Sequence, residues 1–246
     1  MPQTNYFSRS SKYYDVILGK KKFERSASFI ARYLRKLHVK SILELGCGTG
    51  LYLIPLKKAG FDIEGIDISK EMLAITRKKN KNIKLYQQDM AYFNTNKKYD
   101  AIICLNSSLI LLPNFKLIEK TITSCHQHLK AKGVLILDLP NHEKEIKEST
   151  PPEYKKYVIP GGTLDVVMRD YKEGNKWVSE WQGVVKQDKR QSRFKEYFEE
   201  LIYSPLRLEK SIRLGGFKIM NVFGSREGGT FSPAESYRRV YVCQRQ

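Results

Sequence analysis

The chain reads Ile42-Leu43-Glu44-Leu45-Gly46-Cys47-Gly48-Thr49-Gly50, where an apolar run leads directly into a turn with glycine at every second position. Such an apolar run is typical of a buried strand. Because glycine has no Cβ, the turn can adopt backbone angles closed to other residues, and a ligand can lie against the main chain. A turn of this kind after a first strand is how doubly wound α/β proteins hold adenosine-containing cofactors.

The spacing of the glycines and the carboxylate of Glu44 distinguish between such cofactors. Dinucleotide-binding turns follow G-x-G-x-x-G and place a pyrophosphate on the next helix N-terminus. Here the third glycine comes one residue early, and Glu44 stands two residues before Gly46. A carboxylate there repels a pyrophosphate and attracts an ammonium group. The turn therefore predicts S-adenosylmethionine, which has adenosine and a free amino group but no phosphate.

Length and composition limit the class of protein. The 246 residues, 41% of them hydrophobic, fit one globular α/β domain with an insertion, or two small domains. No run approaches the roughly 18 apolar residues of a membrane helix, and the first residues lack the apolar core of a signal peptide. The four cysteines are scattered, without metal-ligand spacing. We therefore expect a cytoplasmic protein with reduced thiols, no membrane association and no metal site.

The net charge of +18 leaves the kind of partner open. A strongly basic chain is compatible with nucleic acid, with an acidic small substrate, or with a lysine-rich surface that has no specific partner. The lysines form no single long block, which favours the last alternative over nucleic acid.

Strand and helix patterns alternate along the chain, which is typical of a parallel sheet covered by helices on both faces. Helix patterns are expected at residues 23–37, 51–59, 69–79, 114–129 and 205–214, and strand patterns at 42–45, 63–68, 83–86, 101–105, 134–139, 217–223 and 239–243. Three aromatic or alternating runs lie between them, at residues 164–171, 176–187 and 193–203. The prediction is a Rossmann-like, doubly wound, seven-stranded and mostly parallel sheet with an inserted antiparallel β-sheet.

The expected organisation is a single domain over residues 1–246. Its core comprises residues 38–140 and 204–246, preceded by an N-terminal helical cap at 1–37. The inserted antiparallel sheet occupies approximately residues 151–203.

Four motifs in order carry a resemblance to a known family. They are Ile42 to Gly50, Gly65-Ile66-Asp67-Ile68-Ser69, Gln88-Asp89-Met90 and Tyr99-Asp100-Ala101-Ile102. With these motifs the chain resembles the class I S-adenosylmethionine-dependent methyltransferases over residues 38–140, and more loosely in its last strands. The opening Tyr13-Tyr14-Asp15, the insertion and residues 200–217 look most like the small-molecule branch, which includes amino-sugar N-methyltransferases and glycine methyltransferases.

The resemblance implies which residues hold the methionine and ribose parts of the cofactor. Glu44 would receive the ammonium group, directly or through water. Gly46, Cys47 and Gly48 form the turn against which the methionine part would lie. Asp67 lies 21 residues after Gly46 and would accept both ribose hydroxyls, near the usual spacing of about 20 residues. The alternative for Asp67 is a plain helix cap.

The resemblance also implies the adenine and sulfonium contacts. Ile68 and Met72 would pack on adenine, Asp89 would accept from its amino group, and Met90 would cover the ring. Asn106 would offer its carbonyl or backbone near the sulfonium. The alternatives are a core role for Met72, a turn role for Asp89 and a strand-ending role for Asn106.

Two residues are candidate catalytic groups. In open α/β sheets, ligands bind outside the carboxyl ends of the parallel strands. His142 is the only histidine expected at that edge, where it is either a base or a solvated loop residue. Tyr14 would lie over the cofactor, or else pack as an ordinary core tyrosine.

The segment Asn106 to Leu112 contains no titratable group, although relatives in the amino-sugar branch often carry a histidine or tyrosine there. Because a neutral amine can attack without a base, this favours an amine acceptor or a base from elsewhere. The leading hypothesis is an S-adenosylmethionine-dependent methyltransferase that acts by in-line displacement on an amine or hydroxyl of a small metabolite, acidic ones included. The alternative is an RNA methyltransferase, although the sequence has no appended RNA-binding module. The oligomeric state, a dimer included, stays open.

Overall fold

The computed structural model describes residue 7, residues 9–145 and residues 151–246 of the chain. Its strands are β1 (Ser41–Leu45), β2 (Asp62–Asp67), β3 (Leu85–Gln87), β4 (Tyr99–Cys104), β5 (Leu129–Pro140), β6 (Glu153–Ile159), β7 (Gly162–Glu173), β8 (Lys176–Gln187), β9 (Arg190–Leu201), β10 (Phe217–Ser225), β11 (Gly228–Thr230) and β12 (Arg238–Arg245). Its α-helices are α1 (Tyr14–Leu18), α2 (Lys20–Lys36), α3 (Leu53–Lys58), α4 (Lys70–Lys79), α5 (Phe115–His128), α6 (His142–Glu145) and α7 (Pro205–Leu214).

The main sheet has the strand order β11-β10-β12-β5-β4-β1-β2-β3. The five strands from β5 to β3 are parallel, and β12, β10 and β11 are added antiparallel. This confirms the predicted Rossmann-like sheet, except that the described part of the chain contributes eight strands to it rather than seven. The additional strand is β11, whose three residues are too few to give a periodic pattern. The strand order reverses between β1 and β4, and such a reversal opens a crevice at the carboxyl ends of the strands.

Helices cover both faces of the main sheet, each over its own apolar cluster. On one face, α2, α3 and α4 bury residues such as Phe23, Leu53 and Leu73. On the other face, α5 and α7 contribute residues such as Ile118 and Ile212. This double covering explains why β1 is buried along its whole length and reads as a continuous apolar run.

Side-chain caps begin three of these helices where the sequence suggests it. Ser69, Asn114 and Ser204 each accept a backbone N–H three residues on, at the starts of α4, α5 and α7. In residues 9–145 and 151–246, no helix has the length and apolar character needed to cross a membrane.

The inserted sheet is antiparallel, with the order β6-β7-β8-β9. Sequence patterns predict β7, β8 and β9 but miss β6, because most of its side chains are charged or exposed and show no alternation. The apolar cluster of this sheet includes Leu164, Val166 and Trp181, and Ile17 of α1 packs into it. Glu196 on β9 accepts the backbone N–H groups of Arg9 and Ser10 at 2.7 and 2.6 Å. The N-terminal segment and the inserted sheet thus form one unit over the crevice.

Candidate active site

A cavity of about 380 Å³ lies at the carboxyl ends of β1, β2 and β4, beneath the inserted sheet. This volume is in the range of ordinary small-molecule sites. Nine of the predicted site residues line it: Tyr14, Gly46, Gly48, Asp67, Ile68, Met72, Asp89, Met90 and Asn106. A smaller adjoining cavity of about 30 Å³ is lined by Glu44 and Cys47, and it shares Tyr14, Gly46, Gly48, Asn106 and Ser108 with the larger one.

The glycine turn is held against neighbouring strands. Gly46, Gly48 and Gly50 all have positive φ, at 67°, 53° and 80°. The N–H of Cys47 donates to the carbonyl of Ile66 at 2.9 Å, which fixes the turn to the end of β2. A Cβ on Gly46 would lie 2.6 Å from the Cβ of Ser108, whereas a Cβ on Gly48 would meet nothing within 4 Å. Gly46 therefore packs tightly beneath the cavity, and Gly48 leaves open space above the backbone.

We expect Gly46→Ala to lower the free energy of unfolding by about 2–4 kcal/mol, since it adds both an unfavourable φ and a close contact with Ser108. Gly174→Ala is the matched control, because Gly174 has φ 59° and open space around it. Urea denaturation of both variants measures the difference, and equal losses would show that the contact with Ser108 contributes nothing.

Glu44 is a buried carboxylate without a complete set of partners. Its side chain is 3% exposed, and Oε2 has no hydrogen-bond partner among the described residues. Burial, together with the charge of Asp67, raises its pKa well above the ordinary value. A buried acceptor in this state is costly unless a donor reaches it. The site therefore fits a cationic donor such as an ammonium group beside the glycine turn.

Asp67 joins the glycine turn to the start of α4. Its Oδ2 accepts the N–H of Gly48 at 2.7 Å, and its Oδ1 accepts the N–H of Ser69 at 2.8 Å. The capping alternative does not apply, because Ser69 itself caps the helix. Burial raises the pKa of Asp67. Each carboxylate oxygen retains acceptor capacity toward the cavity, which suits a pair of neighbouring hydroxyls.

The far end of the cavity suits a flat apolar ring with a polar edge. Ile68 is 40% exposed although it is a large apolar residue, whereas Met72 is buried at 2%. Asp89 uses its Oδ1 to accept the N–H of Ala91 at 2.8 Å and lines the cavity next to Met90. These four residues are brought together as the resemblance implies for adenine.

Tyr14 lies across the cavity from the strand ends. Asn106 donates from Nδ2 to the hydroxyl of Tyr14 at 3.3 Å, and the backbone N–H of Asn106 donates to Oδ2 of Asp138 at 2.8 Å. Burial, with the charge of Asp67, raises the pKa of Tyr14 above its usual value. Tyr14 therefore stays protonated and is suited to cover a ligand rather than to act as a base.

Asp15 secures α1 over the glycine turn. Its Oδ1 accepts the hydroxyl of Thr49 at 2.5 Å, and its Oδ2 pairs with Lys79 at 2.5 Å. Helix α1 is thereby attached to the same turn that binds Asp67.

His142 does not line the cavity, so the prediction of direct catalytic contact is not supported. The alternative of a solvated loop residue is wrong as well, because His142 is 4% exposed and begins α6. Its Nε2 lies 3.5 Å from Oε2 of Glu200, and its ring is near those of Trp177 and Tyr203. It supports two residues that do line the cavity, Trp177 and Glu200.

Sequence reasoning missed most of the wall opposite the cofactor residues. The inserted sheet contributes Asp170 from β7, Trp177, Ser179 and Trp181 from β8, and Phe198 and Glu200 from β9. Among the aromatic residues of the inserted sheet, Trp177 and Trp181 line the cavity, whereas Tyr171 and Phe194 do not. Phe194 packs instead against Gly183 within the sheet. Alternation along β8 is the signal that would have found Ser179.

The two arginines of a charged group at the end of β5 were also missed. Asp138 is buried and pairs with Arg226 at 2.6 Å and with Arg238 at 2.7 Å. Both arginines line the cavity. No sequence rule connects the turn after β10 to the glycine turn, so only the fold brings Arg226 to the site.

Comparison with known proteins gives a matching domain and several relatives. Residues 42–133 match the model of a family described as "Methyltransferase domain". Over 141 residues the chain is 30% identical to dTDP-3-amino-3,6-dideoxy-alpha-D-glucopyranose N,N-dimethyltransferase of Streptomyces fradiae, covering 56% of this chain and 55% of that protein. Over 138 residues it is 35% identical to glycine/sarcosine N-methyltransferase of Halorhodospira halochloris, covering 54% and 52%. The chain thus matches about half the length of these curated relatives.

Among solved structures, an S-adenosylmethionine-dependent methyltransferase of Clostridium acetobutylicum superposes with a TM-score of 0.83 at 21% identity, over 98% of both chains. The likeness at this identity concerns the fold, and it includes the inserted sheet. The resemblance stated from the four sequence motifs is confirmed. Residues 42–133 match a methyltransferase domain, and the chain resembles the class I S-adenosylmethionine-dependent methyltransferases.

Proposed function

We propose that this protein transfers the methyl group of S-adenosylmethionine to an amine of a small molecule. The observation that carries the proposal is the unpartnered Oε2 of Glu44 beside the open backbone at Gly48. A buried carboxylate there suits the ammonium group of the cofactor. Asp67 would hold the ribose, and Ile68, Met72, Asp89 and Met90 would hold adenine.

The cofactor supplies a methyl group already activated by a positively charged sulfur. The residues of the chain then have to align an acceptor with it and exclude water. Alignment alone contributes up to about 7–11 kcal/mol in favourable cases. The amine lone pair forms the new C–N bond as the C–S bond breaks, and the proton of the product ammonium leaves to a carboxylate or to water.

The acceptor side of the cavity suits an amine. Asp170 and Glu200 line it with Trp177, and burial together with the charges of Glu200 and Glu153 raises the pKa of Asp170. An acidic and aromatic wall attracts a cationic group. The apolar wall at Leu111 and Leu112 offers no base that a hydroxyl acceptor would need.

The names of the relatives also support an amine acceptor. Their printed names describe methylation of amino sugars and of glycine or sarcosine, all of them amines. The RNA alternative is not favoured by these comparisons. We further propose that the whole chain works as one domain, with the inserted sheet as its acceptor wall. We also propose a cytoplasmic location, supported by four buried and unpaired cysteines.

Incubation with S-adenosylmethionine labelled in its methyl group tests the proposal. We expect label in amines from a panel of amino sugars and small amino acids, and none in the matching alcohols. Total RNA is the competing substrate. Predominant label in RNA or in alcohols would overturn the proposal.

A further inference from the structure

The cavity wall at the end of β5 carries one more positive charge than negative. Asp138 has a side-chain exposure of 1% and lies between two guanidinium groups. Arg226 donates from Nε to Oδ2 at 2.6 Å, and Arg238 donates from Nε to Oδ1 at 2.8 Å. One carboxylate neutralises one of the two cations, so the wall retains a net charge toward an anion.

The two arginines differ in which guanidinium nitrogens remain free to bind a ligand. Arg238 donates from both terminal nitrogens to Oγ of Ser107, at 3.2 and 3.1 Å, so each of its three nitrogens already has an acceptor. For Arg226, the only hydrogen bond in the described part of the chain is the one from Nε to Asp138. Its terminal nitrogens are therefore available, and its side chain lines the cavity with 21% exposure.

Arg226 is connected to the Glu44 end of the site by hydrogen bonds, because its partner Asp138 accepts the backbone N–H of Asn106, whose side chain donates to Tyr14. The charge of Arg226 acts on Tyr14 and Tyr52, opposing the effect of burial on the pKa of both. Both tyrosines line the small cavity that contains Glu44. Arg226 thus shares this region with the carboxylates of Glu44 and Asp67, an arrangement that suits a ligand carrying both charges.

We propose that Arg226 binds the carboxylate of the methionine part of the cofactor. This inference rests on the proposed function. Glu44 and Arg226 then hold the two ends of one zwitterionic head group, the ammonium and the carboxylate. The guanidinium fork matches a carboxylate with two parallel hydrogen bonds. Asp138 anchors Arg226 through Nε and leaves the terminal nitrogens for the ligand.

Calorimetry with two ligands tests this assignment. S-adenosylhomocysteine has the carboxylate, and its decarboxylated analogue keeps the amine, ribose and adenine but lacks it. We expect the wild-type protein to bind S-adenosylhomocysteine about tenfold more tightly than the analogue, the scale of one charge-assisted contact. In Arg226→Gln, this preference is expected to disappear through weaker binding of S-adenosylhomocysteine, with the affinity for the analogue unchanged.

Two further variants distinguish a lost ligand contact from a folding defect. Arg226→Lys keeps the charge and should retain part of the preference. Arg25→Gln removes an exposed arginine that pairs with Glu227 of the same turn at 3.4 Å, and it should bind as the wild-type protein does.

Three results would overturn the inference. If Arg226→Gln keeps the preference for S-adenosylhomocysteine, the carboxylate is bound elsewhere and the proposed function still stands. If Arg226→Gln binds both ligands normally but raises only the KM of the acceptor, Arg226 belongs to the acceptor site. If the wild-type protein binds neither ligand, the proposed function fails with it.

Discussion

Asp67→Ala is expected to weaken binding of S-adenosylmethionine at least about 100-fold. The carboxylate would accept two ribose hydroxyls, and each charge-assisted hydrogen bond contributes about 1.5–3 kcal/mol. The substitution also removes the acceptor that fixes the N–H of Gly48 at 2.7 Å, so the glycine turn loses an anchor. Both effects act on the cofactor site and leave the apolar clusters of the sheet intact.

Calorimetry and thermal unfolding of the variant measure the two consequences separately. Asp62→Asn is the matched control, because Asp62 lies at the opposite end of β2 and pairs with Lys97 at 3.1 Å on the surface. We expect its affinity for S-adenosylmethionine to equal that of the wild-type protein. Unchanged affinity in a folded Asp67→Ala would place the ribose elsewhere.

Glu44→Gln is expected to change stability and affinity in opposite directions. Binding of S-adenosylmethionine should weaken about 100-fold, because the ammonium group loses a buried charged partner. At a pH above the folded-state pKa of Glu44, the ligand-free variant should melt about 2–4 °C higher, because replacing a buried and unpartnered carboxylate by a neutral amide adds about 1 kcal/mol to the free energy of unfolding.

Glu64→Gln provides the contrasting control within the same sheet. Oε2 of Glu64 accepts the hydroxyls of Tyr86 and Tyr99, at 2.9 and 2.6 Å, and its Oε1 accepts from Lys97. Its replacement should lower the melting temperature and leave cofactor affinity unchanged. A Glu44→Gln protein that melts lower and binds normally would contradict the ammonium assignment.

The raised pKa of Glu44 fixes the sign of the pH dependence. In the ligand-free protein the Glu44 carboxyl keeps its proton at pH values above its ordinary pKa of 4.5. The stability that the protonated Glu44 carboxyl contributes is thus fully present below pH 4.5. It is lost as the pH rises through the folded-state pKa of Glu44. An ammonium ligand prefers the carboxylate, so affinity should rise with pH over the same range and binding should release a proton. Calorimetry in buffers of different ionisation enthalpy detects that proton, which Glu44→Gln should not release.

The cofactor side of this site could be predicted from sequence because its residues are close to local signals. The glycine turn follows an apolar run, and Asp67 ends the next strand at a regular distance from it. The rule that ligands meet the carboxyl ends of parallel strands then places these residues together. The structure places Asn106 and Asp89, which follow β4 and β3, in the same cavity.

The opposite side of the cavity could not be predicted from sequence, because its residues are brought together only by the tertiary fold. Arg226 lies in a turn of the last hairpin and reaches the site only because β12 pairs with β5. His142 was expected at the correct edge but is buried behind Trp177 and Glu200. Strand β6 is recognisable only by its pairing with β7, since its side chains carry no alternating pattern.

The acceptor wall consists of alternate positions on two neighbouring strands. Trp177, Ser179 and Trp181 point from β8 toward the cavity, and Phe198 and Glu200 do so from β9. The strands are joined through their backbones, so these side chains can change while the pairing register is kept. Under the proposed function, evolution or an engineer could therefore exchange the preferred methyl acceptor on this scaffold without rebuilding the part that recognises the methyl donor.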